Sequence, residues 1–245
     1  GASISGEISY RPDAPIQWNA FELILAGNGA PWSRLYQARA AEVGGDATSL
    51  YGELAEGYDE MDIWQAQMTF IKFYDQVFGA DRLSVVAEVG ATYIPDLPDL
   101  DEARYGRSGV FGIGNNDGVF PGAPSEDINY CKVGGSSANV NTEYCTDEGY
   151  VTQLSGGVRL RASMDYNNAF SGINVSPNFA VSYDKGNGPE PGAQFIDERL
   201  TTAVGVKFVY QNRTQVSMNY TQFDGGEYNT TKDRDNIALS ASYSF

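Results

Sequence analysis

Ile237-Ala238-Leu239-Ser240-Ala241-Ser242-Tyr243-Ser244-Phe245 is the stretch whose reading decides the fold. Every odd position is apolar, and every even position from Ser240 on is serine. A period of two puts Ile237, Leu239, Ala241, Tyr243 and Phe245 on one face of an extended strand. The pattern recurs upstream over 214–223, 200–210, 172–183, 154–166, 82–93, 62–74 and 3–10, which makes eight candidate strands. In each, one face is apolar and the other polar. The polar face carries Glu7, then Gln65 and Gln67, Glu88, Arg159 and Arg161, Asn174 and Asn178, Lys207, and Asn219.

Many of these stretches reach the roughly 9–11 residues that a tilted strand needs to cross a bilayer. Strands of soluble proteins average about 5–6. Tyr10, Tyr93, Tyr166, Tyr183 and Tyr210 lie near strand ends, where an interfacial aromatic girdle would put them; ordinary β-propensity is the other reading. Connection lengths form a second test. If the last strand ends on the inner side, 211–214, 165–170 and 75–81 are internal and short. The segments 227–234, 184–195, 94–149 and 11–60 are then external, and the two longest are among them. A membrane barrel has this alternation, whereas a sandwich has no reason to produce it.

The expected fold is therefore all-β: a transmembrane antiparallel up-and-down β-barrel, a single domain over 1–245, with long external loops at 12–60 and 95–149. An eight-stranded barrel fills its interior with side chains and conducts little. Gly1 begins almost directly on a strand. These strands are thus expected to be half of a larger barrel. A lone half would leave two open edges in lipid, so a missing N-terminal half of the same chain is an expected partner.

Composition narrows the function. The 245 residues carry a formal charge of −16, which opposes binding to nucleic acid. There is no histidine, which excludes imidazole bases and His-ligated zinc, and two cysteines cannot make a Cys-only zinc site. Carboxylate-only glycosidase chemistry remains open, but no pair of acids stands out, so no enzyme, metal or cofactor is expected. Acidic residues gather in loops: Asp96, Asp99, Asp101 and Glu102; Asp117; Glu126 and Asp127; Asp224 and Glu227. None matches an EF-hand, and solvated charge is the expectation rather than Ca²⁺ binding. Bridging of lipopolysaccharide phosphates through divalent ions is the other use such surface carboxylates allow.

The long loops have content of their own. Cys131 and Cys145 share one loop, which in an exported chain suggests a disulfide, two free thiols being the alternative. Ser33 can N-cap a helix running through Val43, with Gly44 as its stop. Before it stand Ile16, Trp18, Phe21, Leu23, Ile24 and Leu25, too many large apolar residues for a solvated loop. They form a lid or plug, contact lipid or a hydrophobic ligand, or make a self-packed subdomain.

A terminal Phe245 two residues after Tyr243 resembles the signature that the barrel-assembly machinery reads on bacterial outer-membrane proteins. Other stretches are more particular: Gly6-Glu7-Ile8-Ser9-Tyr10-Arg11-Pro12-Asp13-Ala14-Pro15, Gln65-Ala66-Gln67-Met68-Thr69, Phe78-Gly79-Ala80-Asp81-Arg82-Leu83, Ala87-Glu88-Val89-Gly90 and Leu97-Pro98. Together they resemble the C-terminal half of the proteobacterial outer-membrane family called domain of unknown function 1302. The resemblance implies export to the outer membrane, contact with its lipid and lipopolysaccharide, and a periplasmic partner of the lipoprotein-sorting type. It implies movement of a lipid or other hydrophobic compound, and it carries no catalytic residues.

The functional expectation is a channel or transporter for hydrophobic or amphipathic small molecules or lipids. The ten polar-face residues named above would line its lumen. Arg159 and Arg161 would form either a selectivity strip for an anionic headgroup or part of an ion-pair network with Glu88. The alternative is a structural or interaction protein that presents the disulfide-tied loop.

Overall fold

The structure, a computed structural model, describes residues 1–245 apart from 46, 53, 55, 117–122, 124–127, 134–138 and 190–193. Asp117, Glu126 and Asp127 therefore lie outside the described residues. Eight strands pair antiparallel in chain order: β1 (Ala2–Gln17), β2 (Tyr58–Val77), β3 (Ala80–Tyr93), β4 (Leu154–Phe170), β5 (Ile173–Lys185), β6 (Leu200–Tyr210), β7 (Thr214–Asp224) and β8 (Asn236–Tyr243). Among the described residues β1 and β8 do not pair with each other, so the sheet is open.

Register keeps like with like across the sheet. One row of direct partners runs Ile4–Phe70–Ala87–Leu160–Val181, and another runs Met218–Leu239 from β7 to β8. On the other face Thr69, Glu88, Arg159, Ser182 and Thr201 are direct partners in sequence. A one-residue slip in any strand would exchange its two faces, so the alternation itself fixes the pairing.

Three connections are tight. Phe78-Gly79 and Ser171-Gly172 each have positive φ at both residues, the conformation of a type I′ hairpin, which favours glycine at the second position. Gln211 and Asn212 turn the third.

Three boundaries differ from the sequence expectation. β4 runs on to Phe170, so 165–170 is strand and the turn lies at 171–172. The Asp165–Asn168 polarity belongs to a bulge: Asn168 has φ 49° and its side chain accepts from the Gly172 N–H at 3.0 Å. β1 likewise passes a bulge at Pro12-Asp13 and continues to Gln17, so the first long connection is 18–57 and Ile16 is a strand residue. Proline is admissible there because the bulge leaves that position outside the β1–β2 ladder. At the other end, pairing stops at Tyr243, and Phe245 lies beyond β8, fully exposed.

The four long connections, 18–57, 94–153, 186–199 and 225–235, meet at one end of the sheet as a cap. The first contains α1 (Ala20–Gly27), capped by Asn19, and α2 (Arg34–Glu42), capped by Ser33 as expected. The buried Glu22 carboxylate accepts from Ser33 Oγ at 2.8 Å and from the Arg34 N–H at 2.7 Å. A carboxylate at a helix N-terminus meets free N–H groups and the positive end of the dipole.

Ile16 and Trp18 enter a core with Leu35, Met61, Ile63, Ile94, Ala103, Tyr105 and Val151, against which Leu23 packs. Leu25 joins Ala30, Ile113 and the two cysteines, with Phe21 alongside. Of the six apolar residues read as a lid or ligand contact, only Ile24 is exposed.

Cys131 and Cys145 form the disulfide, with Cα atoms 5.7 Å apart. Closing a loop of about 15 residues stabilises by roughly 3 kcal/mol on the chain-entropy account. We expect C131S/C145S to lose stability of that order in the cap alone. Hydrogen exchange resolved by mass spectrometry should show 94–153 deprotected and β3–β6 unchanged; a uniform loss over the sheet would contradict this.

Candidate functional site

The ten polar residues expected to line a lumen all fall on one face of the sheet. Glu7 is opposite Gln67, Gln65 opposite Ser9, Glu88 opposite Arg159, Arg161 opposite Ala180, and Asn178 opposite Gly205. Lys207 is flanked by Ser176 and Ser217, Asn174 by Val209, and Asn219 by Gly205. Five of them, Glu7, Gln65, Gln67, Glu88 and Arg159, surround a single cavity of about 340 Å³. Arg161, Asn174, Asn178, Lys207 and Asn219 are not brought into it.

The cavity is completed by residues the sequence did not single out. From 186–199, Gln194 and Phe195 fold over the polar face, and Gln65 Nε2 donates to Gln194 Oε1 at 3.2 Å. That contact carries the β5–β6 connection past β4 and β3 to β2. The ring of Phe195 is buried beside the glycine pair Gly90 and Gly157, which are direct partners on β3 and β4. A Cβ at Gly157 would stand 3.2 Å from the Phe195 ring and 2.4 Å from Asp184 Oδ1. Gly157 is therefore where the sheet admits both the ring and the carboxylate.

Asp184 holds the connection down. It is almost fully buried, and its Oδ2 accepts from Arg199 Nε at 2.8 Å and Nη2 at 2.5 Å, a forked pair. Its Oδ1 accepts from Arg159 Nη2 at 3.3 Å. Arg199 Nη2 also donates to the Gln194 carbonyl at 2.8 Å, which ties Phe195's neighbour to the same guanidinium. Arg159 stands 5.8 Å from the Phe195 ring centre. Arg159 is thus in an ion pair, but with Asp184 rather than with Glu88, its opposite number in the register. Glu88 accepts from Thr69 Oγ1 at 3.4 Å. Among the described residues Arg161 has no ion pair.

Two hubs fix the cap above the cavity. Asp59 Oδ2 accepts from Trp18 Nε1 at 2.7 Å and Tyr105 Oη at 2.6 Å, and Oδ1 pairs with Arg39 at 2.8 Å. Arg107 donates to the carbonyls of Thr146, Glu148, Phe111 and Tyr144, and lies over the rings of Tyr150 and Tyr228 at 5.1 and 4.7 Å. Burial raises the phenol pKa of Tyr105, Tyr150 and Tyr228. The Asp59 carboxylate adds to the rise at Tyr105, the neighbouring arginines oppose it at Tyr150, and at Tyr228 the Thr146 hydrogen bond and Arg107 oppose it. No three acidic, histidine or cysteine side chains cluster to hold a metal ion among the described residues.

A family model described as a protein of unknown function, DUF1302, matches residues 1–245. The chain belongs to the DUF1302 family. Comparison with curated proteins and with solved structures gives no match. The motifs that resembled this family include Glu7, Gln65, Gln67 and Glu88, four of the residues that line the cavity of the DUF1302 chain.

Asp184 in this DUF1302 chain faces two arginines across a part-exposed surface. Removing one partner from such a cluster leaves uncompensated charge, and screening moderates the cost. We expect Asp184→Asn to destabilise by about 2–3 kcal/mol in denaturant titration, with Ser182→Ala one row away near neutral. Equal effects from the two would show that the clasp does not hold the connection.

The three tyrosines give a pH test. Their pKa values are higher folded than unfolded, so the stability they contribute is complete below the usual phenol value of 10.0 and is lost as pH rises through the raised values. Phenolate absorbance should therefore show at least these three of the 16 tyrosines resisting ionisation above pH 10 until the cap opens. Titration of all 16 as one ordinary class would refute this.

Proposed function

We propose that this DUF1302 chain is wall and cap of an outer-membrane β-barrel channel or transporter for amphipathic small molecules or lipids. The observation that carries the reading is a continuous apolar face that no other part of the described chain covers. Ile4, Ile8, Met68, Val89, Val158, Phe179, Val204, Met218, Ile237 and Leu239 are all exposed there, Leu239 by 74%. An exposed apolar surface of this extent needs a partner, and lipid is the one that suits all eight strands.

The aromatic residues support the same reading. Tyr10, Trp64 and Tyr93 form one row of direct partners on the apolar face near the cap, and Tyr74, Tyr166, Tyr210 and Tyr243 lie toward the short turns. From Trp64 to Tyr74 the strand covers about 33 Å at roughly 3.3 Å per residue, or about 25 Å of depth at a tilt near 40°. That is the height of a barrel's apolar band. Among the described residues no helix is long and apolar enough to cross a membrane, which says nothing about strands.

In this proposal the polar face looks onto the lumen, and the open edges of β1 and β8 pair with strands outside these 245 residues, since unpaired edges are not tolerated in lipid. Lipopolysaccharide, the assembly machinery acting on Tyr243 and Phe245, and a periplasmic delivery partner remain parts of it. The residues of 16–25 are mostly packed inside the cap, so cargo would meet the polar cavity and Phe195 rather than an apolar lid. A second reading, a surface that binds another protein, has its own support: Val110, Val133 and Val140 stand exposed around the disulfide-tied loop.

The test uses neighbouring residues on opposite faces. The full chain should sediment with the outer membrane and resist carbonate extraction. Leu239→Arg should cost about 2–4 kcal/mol of folding stability in bilayers, while Ser240→Arg should cost far less. Recovery in the soluble fraction, or equal penalties at 239 and 240, would reject the membrane reading.

A further inference from the structure

The channel reading leaves open where the passage is narrowest and what passes there. Resting on that reading, we propose that the β5–β6 connection is the constriction, with Phe195 as its size-determining residue, Asp184 as its positioning residue, and Glu7 and Glu88 as the groups that favour cationic over anionic cargo.

Three observations converge on it. First, the connection is a strap: its described residues run from β5 over the polar face to Gln65 on β2, crossing two strands. The Gly188 N–H bonds to the Phe195 carbonyl at 3.0 Å, and the Gly186 N–H bonds to Asp197 Oδ1 at 2.8 Å. The Thr152 N–H bonds to the Asn187 carbonyl at 3.1 Å. Its described residues are thus tied at several points, which gives Phe195 the fixed position that a selectivity element needs.

Second, among the described residues Phe195 is the one aromatic side chain that the strap puts into the cavity, and the sheet is hollowed to receive it at Gly90 and Gly157. Phe195 is the one aromatic residue in a wall whose other side chains are polar, charged or no larger than alanine. It narrows the space and gives the apolar part of an amphipathic molecule something to slide along.

Third, the charges are sorted. Arg159 and Arg199 both turn to Asp184, at 3.3 and 2.5 Å. Glu7 and Glu88 line the cavity with no ion pair among the described residues. The strap thus draws the nearby cations to its own anchor and leaves carboxylates facing the opening. A passing ammonium group finds two carboxylates and three glutamine amides, whereas an anion finds arginines already engaged. Of the two roles the sequence left open for Arg159, the ion pair is the one found, with Asp184 rather than Glu88.

The experiment is planar-bilayer recording of the full chain, reading single-channel conductance and the K⁺/Cl⁻ permeability ratio from reversal potentials. Phe195→Ala should raise conductance about twofold or more and Phe195→Trp should lower it, opposite shifts that a general folding defect cannot give. Glu7→Gln with Glu88→Gln should lower the K⁺ preference about threefold at low salt while conductance changes less. Asp184→Asn, which keeps the size of every cavity residue, should make conductance noisy as the strap loosens. Ser240→Ala, on the same face but far from the strap, should match the wild type. A conducting wild type whose conductance ignores both Phe195 variants, or whose selectivity ignores the double Gln variant, overturns this inference alone. No conductance from the wild type or any variant overturns the channel reading and this inference with it.

Discussion

Alternation held in register over eight strands is the constraint on which everything else here depends. Because direct partners share a face, each strand's choice of apolar or polar position is copied to the next. The result is a sheet with one face of Ile, Val, Met, Leu and aromatic residues and one of Ser, Gln, Asn, Arg and Glu. A sheet of this kind has no core of its own. Nearly all of its tightly buried residues lie toward the end where the long connections meet, Ala80 beside the β2–β3 turn being an exception, and most of the mid-strand apolar side chains remain exposed.

The cap answers a different problem. Its chain is polar and glycine-rich, and it holds together through a few charged side chains used as multi-way ties. Asp59 gathers three donors, Arg107 reaches four carbonyls, Glu22 caps a helix from inside, and Asp184 receives two guanidinium groups. Buried charge is tolerated where every lobe has a partner. Ties of this sort connect segments far apart in the chain, which apolar contacts between short irregular loops would do with less directional definition. The cavity lies where this tied cap meets the polar face.

Much of the sheet was legible because period two is a strong signal, and the order of short and long connections confirmed it. What failed to read was local and had causes. The sequence expectation puts Asn168 in an internal turn, whereas its positive φ serves a bulge within β4. The sequence expectation puts 11–17 in the first external connection, whereas β1 resumes after its bulge at Pro12-Asp13, a place in a strand that admits proline. At the site, Glu7, Gln65, Gln67, Glu88 and Arg159 were found from their phase alone. Asp184 and Phe195 were missed because both fell within a connection read as external. A signal was present for Asp184: it continues the even-numbered polar phase of β5 past Ser182. For Phe195 there was none, since nothing in sequence says that a loop will fold inward.

Tyr228, the aromatic residue of the last connection, bears on the order of assembly. Its ring packs on Phe111 and Tyr144, its hydroxyl lies 2.5 Å from Thr146 Oγ1, and it covers one side of the Arg107 guanidinium. Those partners belong to a segment more than 80 residues earlier. During folding the earlier segment waits, with a charged group half covered, until the β7–β8 connection arrives. Contacts of such long sequence separation form slowly and late. The cap would therefore be the last part of the chain to become rigid, and its completion would report that every strand before it had found its place.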